Sequence, residues 1–230
     1  MSIAVPKGVA LVPRGARRKR DRARHDISAL LAIVAGTLGI LGGCPAAPEE
    51  AETITLDVVF DRTGTLPRDG TFRSIAQPFV MTIGDDTTNT ATCAFVSINL
   101  SSIAANAEVT RVVLNAKATI DDNDPFGEFG AITVDHVNVV GGIVASNYAG
   151  GTVTAGIATI PSFPATTRQN VAIDVTNAVK ADLAAGRPIS SFRFRFDAAP
   201  SVDAQSDQVV FESSIADPNQ RPSASVTIRQ

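Results

Sequence analysis

Hydrophobic and polar positions alternate with a period of two over most of 53–230, the pattern of strands that bury one face. In 53–60, Ile54, Leu56, Val58 and Phe60 share one side, and Thr55 and Asp57 fall on the other. Over 109–120, Val112, Leu114, Ala116, Ala118 and Ile120 alternate with Arg111, Asn115, Lys117 and Thr119. The stretch 191–197 alternates most cleanly and predicts Phe192, Phe194 and Phe196 inward, with Arg193 and Arg195 outward. The stretch 223–229 places Ala224, Val226 and Ile228 inside. Further strands are predicted over 79–83, 93–100, 132–140, 152–160, 170–173 and 208–213. The connections GDDTTNT, DDNDPFGEFG, PSFPATTRQ, DAAPSVDAQSD and ADPNQRPS are rich in turn formers.

One helix is predicted over 175–185. Asp174 supplies an oxygen for its first free N–H groups, and Val175, Val179 and Leu183 recur at four-residue spacing on one face. Gly186 and Pro188 stop it. About ten strands and one short helix predict an all-β fold. It is an antiparallel β-sandwich, jelly-roll-like, occupying 53–230 as a single domain. No internal repeat is visible, nor any strand–helix alternation of the nucleotide-binding kind.

Residues 1–43 carry eight Lys and Arg against Asp21 and Asp26, a net +6, whereas the rest of the chain is net −9. The basic cluster taken alone would suggest nucleic acid. It leads, however, into the uncharged apolar run 27–41, which is short for a membrane span and suits the core of an export signal. That run ends in Leu41-Gly42-Gly43-Cys44, which resembles a bacterial lipoprotein lipobox. The resemblance implies a signal peptide over 1–43, lipid attachment at Cys44 and a membrane partner reached through acyl chains. Residues 44–52, Pro-, Ala- and Glu-rich, read as a flexible tether. In the lipoproteins of two-membrane bacteria that this segment resembles, an Asp after the cysteine directs retention at the inner membrane; Pro45 stands there instead, so in such a host the resemblance implies the outer membrane or cell surface.

Four stretches, in order over about 80–230, resemble the DNRLRE-domain proteins, exported jelly rolls likened to carbohydrate-binding modules. They are IGDDTTNTATCAFVSINLSSIAANAEVTRVVLNAKA, FGAITVDHVN, VAIDVTNAVKADLAAGRPISSFRFRF and VVFESSIADPNQRPSASVTI. The resemblance implies the sandwich fold and says little about activity.

Few residues offer chemistry. His136 is the only histidine beyond the signal segment and reads as a strand histidine satisfied by its neighbours. Cys93 has no partner once Cys44 is lipidated, and reads as a small buried hydrophobe beside Phe95, with no basic residue adjoining it. Two acidic turns are the candidate metal sites: Asp121, Asp122 and Asp124, followed by Glu128, and the pair Asp85 and Asp86. Their hard oxygens suit calcium, the one candidate cofactor, although neither follows the EF-hand spacing.

Sugar stacking normally uses Trp or Tyr, and the chain has no Trp and a single Tyr, Tyr148; Phe126, Phe129 and Phe163 fall in loops and are expected to be exposed. A flat crystalline polysaccharide is therefore a poor ligand, and the acidic exported part disfavours nucleic acid. No acid/base pair or metal triad marks an enzyme. The expected function is a lipid-anchored, non-catalytic envelope module that binds a glycan or an envelope component. The alternative is a structural or adhesive surface protein without a small ligand.

Overall fold

The chain divides into two units, Met1–Ala46 and Ala47–Gln230. The computed structural model describes residues 50–76, 80–121, 123–165 and 167–229, all within the second. These residues form twelve strands: β1 (Glu52–Asp57), β2 (Gly64–Pro67), β3 (Arg73–Ser74), β4 (Met81–Asp85), β5 (Ala91–Asn99), β6 (Glu108–Ile120), β7 (Ile132–Val137), β8 (Thr152–Ile160), β9 (Gln169–Asp174), β10 (Ile189–Phe196), β11 (Asp207–Phe211) and β12 (Ser223–Arg229). All their pairings are antiparallel. The order is β1-β12-β6-β11-β4-β5-β10-β7-β8, with β9 also beside β6 and β2 beside β5 and β3.

This sheet folds over on itself. Val112, Leu114 and Ala118 of β6 and Val226 of β12 share one core with Ala94, Val96 and Ile98 of β5 and Phe192 and Phe194 of β10. The result is an all-β antiparallel sandwich whose layers meet through the alternating apolar positions seen in the sequence. A second, smaller core lies on the other face of β5 and β7. It joins Leu66, Cys93, Phe95, Val137, Val139 and Ile143, with Phe72 and Tyr148 packed against it.

Two helices occupy opposite ends of β10. Helix α2 (Thr176–Ala184) starts where Asp174 Oδ1 accepts from Thr176 N at 3.0 Å and Thr176 Oγ1 at 2.6 Å. These two bonds hold the Asp174 carboxyl below its ordinary range. The helix buries Val179 and ends at Gly186, whose φ of +68° is the left-handed stop. Helix α1 (Pro125–Phe129) lies in the DDNDPFGEFG segment. Asp124 caps it by accepting from Gly127 N at 3.0 Å, and Pro125 opens its first turn.

The structure corrects four expectations. The described residues hold twelve strands instead of about ten, because the short β2 and β3 carry too few residues to show alternation. Among the described residues there are two α-helices instead of one, because the five residues of α1 cannot display a helical period. Phe126 and Phe129 are buried, not exposed: α1 turns both inward, where Phe126 meets Phe163 edge-on and Phe129 meets Phe196. Arg193 is also buried, at 3% exposure, although it lies on the face predicted to be outward. Residues 138–151 fold over that face and roof it, so the side opposite the main core is not solvent.

Candidate functional site

Three polar constellations stand out, each positioned by the sandwich. The first is a groove beside β2 and β4. Thr65 Oγ1 links the two strands, accepting from Thr82 N at 2.8 Å and donating to Val80 O at 3.4 Å. A concave cavity of about 480 Å³ opens there, and Asp69, Arg73, Thr82, Asp86, Thr88 and Gln208 contribute to its polar lining. Asp86 is ordered by its own turn: Oδ1 accepts from Thr88 N, Thr88 Oγ1 and Thr90 N at 2.8, 2.5 and 3.1 Å. Burial alone would raise the Asp86 carboxyl. The bonds from Thr88 and Thr90, with the positive charge of Arg73, outweigh it and keep the group an anion below its ordinary range. The groove therefore presents a fixed anion, a guanidinium and a row of hydroxyls.

The second is the acidic end of the sandwich beside α1. Asp85 and Asp207 face each other as paired residues of β4 and β11, and both are buried, at 0% and 5% exposure. Gly84 precedes Asp85 with φ +117°. A Cβ there would fall 1.9 Å from Asp207 O, so only glycine lets β11 approach this closely. Asp85 Oδ2 accepts from Ser201 N and Ser201 Oγ at 2.7 and 2.9 Å. Asp85 Oδ1 is buried and has no hydrogen-bond partner. Desolvation first, then the negative charges of Asp203, Asp85, Glu128 and Asp124, push the Asp207 carboxyl above its ordinary range.

The third is a pair of buried charge networks flanking β7. On one face Asp135 accepts from Arg193 Nη2 at 2.7 Å and Arg195 Nε at 2.8 Å, and its Oδ1 accepts from Gly156 N at 2.9 Å. Burial would raise the Asp135 carboxyl, but the bonds from Arg195, Arg193 and Gly156 hold it below its ordinary range. On the other face His136 Nε2 lies 2.9 Å from Asp182 Oδ2 of α2, and Arg187 Nη1 donates to Asp182 Oδ1 at 2.6 Å. Burial opposes ionisation of Asp182 too, and its bonds and the nearby charges prevail, lowering it. His136 is thus a buried histidine met by neighbours, and Asp182 is the partner that no strand pattern could supply.

The acidic residues singled out in the sequence do not act as two clusters. Asp85 turns into the sandwich, while Asp86 serves its turn and the groove. Asp124 caps α1, Asp121 is exposed, and Asp122 lies outside the described residues. What tertiary structure adds is Asp207 and Asp203, which bring Asp85 and Asp124 into one electrostatic neighbourhood. Among the described residues, no three His, Cys, Asp or Glu side chains already stand together as a metal-holding group.

Cys93 is wholly buried beside Leu66 and Phe95. Contrary to the sequence reading, basic residues do adjoin it, since Arg193 and Arg195 lie near enough to act on the thiol. Desolvation overrides both and pushes it up to about 12. Cys44 and the segment 1–43 lie outside the described residues. No protein-family model matches the chain, and a search of curated proteins found no match to it.

Proposed function

We propose that this protein is a lipid-anchored, non-catalytic module of the cell envelope that binds a glycan or another polar envelope component in the groove beside β2 and β4. The observation that carries this reading is the groove itself, about 480 Å³ in volume and lined by Asp69, Arg73, Asp86, Gln208 and threonine hydroxyls. Hydroxyls, a carboxylate and a guanidinium complement the donors and acceptors of a sugar, and orient it by hydrogen bonds where no Trp is present for stacking. Arg73 adds a preference for a glycan that carries carboxylate or sulfate groups. The lipobox-like LGGC and the acyl chains it implies at Cys44 supply the anchor, and the order of the DNRLRE-like stretches bears on the sandwich that holds the groove.

The test is a glycan array of neutral and acidic envelope oligosaccharides probed with the full chain, with Arg73→Ala and with Asp86→Asn. Binding is expected to fall at least tenfold in each variant. An array without signal for the wild-type chain overturns the glycan reading.

One observation favours a second reading, an adhesive or structural role without a small ligand. Strand β8, with the sequence TVTAGIATI, is uncharged, largely exposed, and pairs only with β7 among the described residues. Such an open edge suits addition of a partner's strand.

A further inference from the structure

We propose that Asp85 and Asp207 hold one divalent cation of the calcium type at the α1 end of the sandwich, between β4, β11 and the loop 198–206. The inference rests on the acidic end alone and stands or falls independently of the groove.

Residues at directly paired positions of adjacent antiparallel strands, as Asp85 and Asp207 are, project to the same side with Cβ atoms about 4.5–5.5 Å apart, and like charges so placed are destabilising. Here both are almost wholly out of water, which sharpens the repulsion. The surroundings do not relieve it. Asp203, Glu128 and Asp124 add further negative charge, and the hydrogen bonds that Asp85 receives, both from Ser201, go to Oδ2 alone. Asp85 Oδ1 is left buried without a donor, a condition native interiors rarely tolerate. A cation between the two carboxylates removes the repulsion and gives Oδ1 its partner.

The loop is built to stay in place around such an ion. Asp203 Oδ1 accepts from Gln205 N at 2.9 Å and lies 2.9 Å from Ser201 Oγ, Asn89 Oδ1 accepts from Ala204 N at 2.9 Å, and Asn123 Nδ2 donates to Ser206 O at 3.0 Å. Ala204 is held at φ +57°, a conformation a non-glycine residue adopts at a cost. Two carboxylates neutralise a doubly charged ion. Since no third acidic or imidazole side chain already stands with them, the remaining ligands are main-chain carbonyls, hydroxyls and water. Calcium accepts six to eight such oxygens in flexible geometry, whereas magnesium demands a near-ideal octahedron.

The experiment is a thermal melt of the full chain in EDTA and in calcium chloride, paired with calorimetric titration of calcium. At a hundredfold excess over Kd, the wild-type melting temperature is expected to rise by about 5–10 °C, with one ion per chain. Asp85→Asn and Asp207→Asn should each abolish the rise and, in EDTA, melt at or above the wild type, because the amide removes one of two like charges. Equal wild-type melts in calcium and EDTA, or a rise that survives Asp85→Asn, overturn the proposal. A calcium-independent chain whose carboxyl pair holds a shared proton near neutral pH overturns it as well. If one variant fails to fold, the other decides: a calcium-dependent rise that survives in it overturns the proposal.

Discussion

Arg193 Nη2 lies 2.7 Å from Asp135 Oδ2, at directly paired positions of β10 and β7, with the arginine side chain 3% exposed and the aspartate fully buried. The guanidinium also donates to the carbonyls of Asn147, Tyr148 and Gly150 at 2.9, 2.9 and 3.1 Å and to Thr152 Oγ1 at 2.8 Å. One side chain thus ties the roof over the second core to the sheet beneath it. Its charge and its donors are met, which is what makes a buried arginine tolerable.

Removing that side chain is predicted to be as damaging as removing a core phenylalanine. Arg193→Ala should cost about 3–5 kcal/mol, since it leaves three carbonyls unmet and takes from the buried Asp135 one of its two guanidinium partners. Phe194→Ala, in the main core, should cost about 3–5 kcal/mol for a different reason, the cavity it leaves. Urea titration measures both. Limited proteolysis separates them: only Arg193→Ala should expose the 138–151 segment to early cleavage.

Acid should destabilise the protein through Asp135 and Asp182. Both carboxyls are held below their unfolded value of about 3.9, so their contribution is fully present above that value. It is lost as the pH falls through their folded values. Urea midpoints between pH 2 and 6 should therefore drop steeply at the acid end, and Asp135→Asn should lower the midpoint at pH 6 while flattening the drop.

Asp207 acts with the opposite sign. Its carboxyl is raised, so the folded state holds the proton longer than the unfolded chain, and stability is lost as the pH rises through the folded value. In EDTA, the stability of Asp207→Asn relative to wild type should increase between pH 3 and 7. An advantage that stays constant across that range would contradict the sign of the shift.

Cys93 should be inert in the native state. Its thiol is fully buried and pushed up to about 12, so scarcely any thiolate forms at pH 8. A disulfide reagent should leave it unmodified without denaturant and modify it at the rate of global unfolding when urea is added.

Cys44→Ser should release the protein from the membrane fraction or leave its leader unprocessed. Fractionation together with intact mass is the measurement. Identical fractionation of variant and wild type, with no acyl mass on the wild type, would sink the lipid anchor.

Much of the sandwich was legible because a period of two is a local property. Leu56, Val112, Leu114, Phe194, Ala224 and Val226 are buried where alternation places them. The stretches 152–160 and 223–229 coincide with β8 and β12. Helix α2 was legible for the same reason, since the Asp174 bonds to Thr176 at its start and its stop at Gly186 are set by neighbours in sequence. Alternation decides which side chains share a face; it does not decide what covers that face. Arg193 and Asp135 therefore escaped, because the segment that roofs them begins only at 138 and its carbonyls reach the arginine through tertiary folding. The candidate site divides the same way. Asp85 and Asp124 were visible as acidic turns, but Asp207 sits more than a hundred residues from Asp85 and meets it only through the β4–β11 register. The strands and their apolar faces can be read from the chain alone, because they follow from the backbone's own period. Which charges are buried together emerges only in the folded chain, because register and the paths of loops depend on contacts between residues far apart in sequence.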